Sequence, residues 1–248
     1  MRFYVGDRAP EITGRWADEL VELIDGSARS GGRRLAIDAL SLDQIRELES
    51  RGVDLVDAST IMDDARAVKS CDEIAALRLA AHSCDLIVGE MRDALTPGMM
   101  EIELWTMLHA GNWSRFGEWV ETRLLASGDR TNPWYQEASS KVITDGELLA
   151  FDTDLVGAYG MCIDMSRTWL CGDGVPTAAQ TDVYERARAT IESNISLFVP
   201  GATYRDITEQ LTYPPVEDFN GYTVMAHGVG LCDEYPSIFT REQWDATG

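Results

Sequence analysis

Asp152, Asp154 and Asp164 crowd one short stretch, AFDTDLVGAYGMCIDMSRTW (150–169). In an extended strand, residues two apart share a face, so Asp152 and Asp154 project together. A turn centred near Tyr159, between Gly157 and Gly160, sets Asp164 opposite Asp154 on the return strand. Directly opposed Cβ atoms lie about 4.5–5.5 Å apart, and each like-charge pair in a partly dry site costs on the order of several kcal/mol. A cation removes that cost. Hard carboxylate oxygens ligate Mg, Mn, Fe or Zn, and an added imidazole shifts the choice toward transition metals. His227, in AHGVGLCDEYP, offers that imidazole, with Gly228 and Gly230 leaving room around it. The competing readings are a solvated acidic hairpin and a hydrogen-bonded loop histidine. Phe151, Leu155, Ile163 and Trp169 flank the acids and argue for burial, which a solvated face does not require. His82 and His109 fall inside helical segments and read as partly exposed helix residues.

These residues need strands and helices to position them. Strands are expected at about 118–127 and 147–156, with a return strand at 159–170. A long helix is expected over ARAVKSCDEIAALRLAAHSCDLIVGEMRDALTPG. Ser70 and Glu73 form a capping box, Ile74, Leu77, Ala81, Leu86 and Met91 recur at helical spacing, and Pro97–Gly98 stop it. Further helices are expected at about 99–113 and 177–198, then loop and strand from 214 to 238. Residues 1–66 hold one βαβ unit. In it, RLAIDALS reads as a buried strand, SLDQIRELESRG as a helix capped by Ser41 and ended by Gly52, and VDLVDAS as a second strand. The expected class is α+β, as a partial α/β domain over 1–66 and a larger domain over 67–248.

Composition excludes several partners. The 248 residues carry 42 acidic against 21 basic side chains, a formal charge of −21, which repels nucleic acid and anionic membrane surfaces. No apolar run approaches the ~18 residues of a membrane span, and the N-terminus lacks the order of a signal peptide. Five Cys without metal-type CxxC spacing read as reduced thiols in a cytoplasmic protein.

The order Asp…Asp…His-Gly-x-Gly resembles the pita-bread metalloenzymes: methionine aminopeptidases, prolidases, aminopeptidase P and creatinase. RAVKSCDEIAALRLAA resembles the entry to that fold, and GELLAFDTDLVGAYGMCIDMSRTW its metal hairpin. The resemblance covers about 66–248, and residues 1–66 resemble the end of a creatinase-type N-terminal domain. Peptidases of this fold carry a substrate-handling His before the hairpin, where this chain has Trp134 in SGDRTNPWYQEASS. They carry a second His after the H-G-x-G motif, where this chain reads LCDEYP, with Asp233 and Glu234.

That combination resembles one branch of the family, the DddP-type dimethylsulfoniopropionate (DMSP) lyases. The resemblance implies a dinuclear site held by Asp152, Asp154, Asp164 and His227, with iron the usual metal of the branch and Mn or Zn also compatible. It implies Asp233 as the base, with Glu234 its nearest competitor, and Tyr222 as a substrate contact. A sulfonium suits aromatic faces at about 0.5–2 kcal/mol each, for which Trp134, Tyr135 and Tyr222 are the candidates. Homodimers are usual for the fold. The alternatives are an Xaa-Pro dipeptidase or aminopeptidase P-like hydrolase and a non-catalytic binding protein. The fold also implies two later Glu ligands. Glu242 lies too early to be one, so the chain is expected to be a fragment cut at both ends and lacking the final strands.

Overall fold

The computed structural model describes residues 6–27, 32–213 and 222–247. Contacts divide the chain into two units, Met1–Arg66 and Ala67–Gly248.

In the first unit, α1 (Ala9–Ser27) precedes β1 (Arg34–Ile37), α2 (Leu42–Ser50), β2 (Asp54–Asp57) and α3 (Ser59–Ala67). β1 and β2 pair in parallel, Arg34 opposite Asp54 and Ile37 opposite Asp57. Ser41 caps α2 in a reciprocal box with Gln44. Gly52, at φ 74°, takes the left-handed turn that ends the helix. α1 had no counterpart among the expected elements. Its Ala17, Leu20, Val21 and Ile24 follow i, i+3, i+4, i+7 spacing and pack with Leu48 and Val53. β1 is alternately exposed rather than buried: Leu35 turns inward while Arg34 turns out to pair with Asp54 at 3.0 Å.

In the second unit, α4 (Cys71–Ala94) starts at Ser70, whose hydroxyl accepts from the Glu73 N–H while Glu73 reaches back to the Ser70 N–H. Its buried face is Ala80, Cys84, Ile87, Val88 and Met91, whereas Ile74 and Leu86 are exposed. Leu77, Ala81 and Met91 of the expected stripe do face the core, where the small residues Ala80 and Cys84 add a close-packing face. α5 (Glu101–Ser114) meets α4 where Gly111 lies against Ile87; a Cβ there would come within 2.8 Å of the Ile87 side chain.

Short strands follow: β3 (Trp119–Val120), β4 (Leu125–Ser127), β5 (Leu148–Phe151), β6 (Asp154–Val156), β7 (Cys162–Asp164) and β8 (Arg167–Leu170). They form two antiparallel sheets in the orders β3-β6-β7 and β4-β5-β8. The three expected strands are thus each broken: 118–127 at 121–124, and the two arms of the hairpin at 152–153 and 165–166. The two hairpin breaks lie across from each other, tied by the Met165 N–H to the Thr153 carbonyl at 3.2 Å, and they hand one hairpin from sheet to sheet. Leu104, Leu108, Leu125, Leu149, Phe151 and Leu155 fill the core between helices and sheets. Phe151 stacks on Trp169 with ring centroids 5.2 Å apart.

The chain continues through α6 (Ala178–Ile195), α7 (Tyr204–Gln210), the antiparallel pair β9 (Val224–Val229) and β10 (Asp233–Phe239), and α8 (Arg241–Thr247). Ile207, Leu211 and Ile238 form a smaller core beneath them. Part of the expected loop, 214–221, lies outside the described residues.

Buried Glu101, at the first turn of α5, is a polar hub. It accepts from the backbone and hydroxyl of Ser127 at 2.8 and 2.9 Å, from those of Ser139 at 3.1 and 2.7 Å, and from Arg130. These bonds fix β4 and the segment after the aromatic run at 134–135, and nothing in local periodicity announces them.

Candidate metal centre

Asp154 stands directly opposite Asp164 in the β6–β7 register. The turn between these strands carries Tyr159 and Gly160 at φ 65° and 71°. Asp152 lies in the strand break rather than in a strand, and the Ser166 hydroxyl from the opposing break donates to its Oδ1 at 2.5 Å. Asp152 therefore reaches the cluster through the sheet switch, not through simple alternation with Asp154.

His227 arrives from β9. Its Nε2 lies 3.1 Å from Asp164 Oδ2 and its Nδ1 2.9 Å from the Gly228 carbonyl. Asp233 begins β10, and the Cys162 thiol donates to its Oδ1 at 3.3 Å. Asp164, His227 and Asp233 each offer a donor atom, all within 4.8 Å of one another. The resemblance had made Asp233 a base; its carboxylate also stands among the donors. Among the expected site residues, Asp152, Asp154, Asp164, His227 and Asp233 meet in one cluster. Glu242 lies in the first turn of α8 and is not among the grouped donors.

Of the aromatic candidates, Tyr135 feels the charges of Asp152 and Asp154, and Trp134 and Tyr222 pack against it. Trp134 and Tyr135 have ring centroids 6.2 Å apart, and Tyr135 and Tyr222 5.8 Å. Tyr135 adopts φ 72°, an uncommon value for a residue with a side chain, and its ring is half exposed. Burial, the neighbouring Tyr222 phenol and the charges of Asp152 and Asp154 all raise its pKa above the ordinary tyrosine value, which sets this phenol in the field of the carboxylates.

The cluster manages its charge with protons. Burial pushes Asp152 up to about 7; Ser166 opposes the rise, while Asp164 and Asp154 add to it. Burial would also raise Asp164, but hydrogen bonds from His227 and Asp152 outweigh it and hold this carboxyl below its ordinary range. His227 is raised to about 9, chiefly by its bond to Asp164, against the effect of burial. Burial and Asp154 raise Asp233 to about 6, partly offset by Cys162 and His227. Carboxylate oxygens around one imidazole, with like charges held together by shared protons, are a donor set that fits a divalent transition metal. Ser166 and Cys162 were missed by sequence reasoning. Cys162 carried a usable signal, since it lies two residues before Asp164 on the same strand face.

The antiparallel sheets, their covering helices and this acid–histidine cluster define a class: the chain belongs to metallopeptidase family M24, matched over residues 75–246, and has the pita-bread fold. Its similarity to particular proteins is uneven. It is 39% identical over 245 residues to the dimethylsulfoniopropionate lyase DddP of Roseovarius nubinhibens, covering 96% of this chain and 54% of that protein. It is 38% identical to the DddP of Roseobacter denitrificans, covering 94% and 53%. The chain thus spans about half the length of the curated relatives it matches. The prolidase of Pyrococcus horikoshii superposes with a TM-score of 0.75 at 23% identity, over 90% of this chain and 65% of that one. The X-Pro aminopeptidase of Thermotoga maritima gives 0.74 at 20%, over 92% and 65%. Among the described residues, no helix is long and apolar enough to cross a membrane.

Proposed function

We propose that the protein to which this chain belongs is a metal-dependent DMSP lyase, releasing dimethyl sulfide and acrylate by β-elimination. The observation that carries the reading is Tyr135 in the field of the carboxylate cluster, packed between Trp134 and Tyr222, in a chain 39% identical to a named DMSP lyase. Asp152, Asp154, Asp164 and His227 would hold two divalent ions, iron in the first instance. When bound, these ions supply positive charge that attracts a substrate carboxylate and stabilises negative charge beside it.

The remaining work falls to side chains. The aromatic faces take the sulfonium end. Asp233 accepts the proton from the carbon next to the substrate carboxylate. The electron pair of that C–H bond becomes the C=C bond of acrylate, the C–S bond breaks, and its pair leaves on sulfur as neutral dimethyl sulfide. The proton remains on Asp233 and passes to solvent. No attacking water takes part, so the two peptidase imidazoles replaced around Trp134 and Asp233 are dispensable.

Headspace dimethyl sulfide from DMSP tests the reading, using the full-length protein loaded with iron and a metal-stripped control. Release only from the loaded form is expected. A folded, loaded protein that is silent on DMSP but cleaves an Xaa-Pro dipeptide would replace this reading with the hydrolase one.

A further inference from the structure

We propose that Cys162 is a positioning residue for Asp233, aiming the carboxylate that takes the proton; this inference rests on the lyase reading. Cys162 and Asp164 are two apart in β7, so their side chains share one face. Asp154 lies opposite Asp164 in β6, and Val156 opposite Cys162. Cys162 is fully buried, and its thiol donates to Asp233 Oδ1 at 3.3 Å across 71 residues of sequence. Its backbone N–H donates to the Gly230 carbonyl at 2.7 Å, in the turn that leads into β10. The strand therefore holds the Asp233 segment at two points, one backbone and one side chain.

The arrangement answers a geometric problem. Asp233 also hydrogen-bonds Asp154 on the hairpin, a contact that lasts only while one of the two carries a proton, because two ionised carboxylates repel. The Cys162 thiol gives Asp233 a second hold that does not depend on a shared proton and keeps it facing the cluster. Sulfur is a weak donor, so the contact orients the carboxylate with little loss of its basicity. A hydroxyl would orient it as well, and a methyl group would not orient it at all.

The test uses full-length, metal-loaded protein with Cys162→Ala and Cys162→Ser. Cys162→Ala is expected to lower kcat for dimethyl sulfide release about tenfold or more, since small misplacements of a reacting group are costly, with KM and metal content within about twofold. Cys162→Ser should recover most of that loss. Infrared spectroscopy reads the contact without turnover: the S–H stretching band that disappears in Cys162→Ser should move to higher frequency in Asp233→Ala. With an active wild type, an unchanged kcat in Cys162→Ala, a loss that tracks lost metal, or an unmoved S–H band overturns the inference alone. A wild type that releases no dimethyl sulfide overturns the lyase reading, and the inference with it.

Discussion

Metal binding at the cluster must expel protons, and the structure says how many. In the metal-free protein His227 titrates near 9 through its bond to Asp164, and Asp152 near 7 through burial and its acidic neighbours. Both must be deprotonated to act as ligands. At pH 7.5 His227 is almost fully protonated and Asp152 about one quarter, so one filled site releases about 1.2 protons. The release rises to about 1.8 at pH 6.5 and falls to about 0.2 at pH 9.5. Deprotonating His227 at pH 7 costs about 2.7 kcal/mol, so apparent affinity should climb about a hundredfold between pH 7 and 9. Calorimetric titration with Mn²⁺, in buffers of differing ionisation enthalpy, counts these protons directly. His227→Asn should cut the release at pH 7.5 to about a quarter of a proton. Release near zero in the parent protein, or the same release from the variant, would show that His227 does not give up its proton to a metal.

Three further outcomes follow from packing and charge. Asp152 has a raised folded-state value, so the metal-free protein loses stability as pH rises from about 4 to 7. Asp152→Asn should raise its melting temperature at pH 8 by a few degrees, not at pH 4, while lowering metal stoichiometry. Glu101→Gln replaces an acceptor-only hub with a group that must point donors at donors; urea unfolding should show a loss of about 2–3 kcal/mol. Gly111→Ala drives a methyl group into Ile87 and should cost about 1–3 kcal/mol by the same assay, with metal binding retained.

The hairpin was legible because strand alternation is local. A period of two and a glycine-flanked turn are enough to set Asp154 against Asp164. The helix starts were legible for the same reason, since the Ser41 cap and the Ser70–Glu73 box are local signals; the Gln44 half of the Ser41 box came only from the structure. The break at Asp152 was not. Alternation continues straight through AFDTDLV, and only the pull of two sheets on one hairpin shows that it must stop. The contacts that turn a hairpin into a site were equally hidden. His227 reaches Asp164 over 63 residues and Asp233 reaches Cys162 over 71, and no window of local pattern spans either distance. The residues missed, Ser166 and Cys162, share a property: each is small, apparently ordinary and useful only through a partner in another strand. Sequence reading found the groups whose chemistry is visible in isolation, the acids and the imidazole. It passed over the donors that orient them, because an orienting hydrogen bond is a property of a pair. The oriented state of Asp152 and Asp233 is therefore where the structure adds most. The perturbations that separate positioning from ligation are the ones that remove a donor and leave the carboxylate in place.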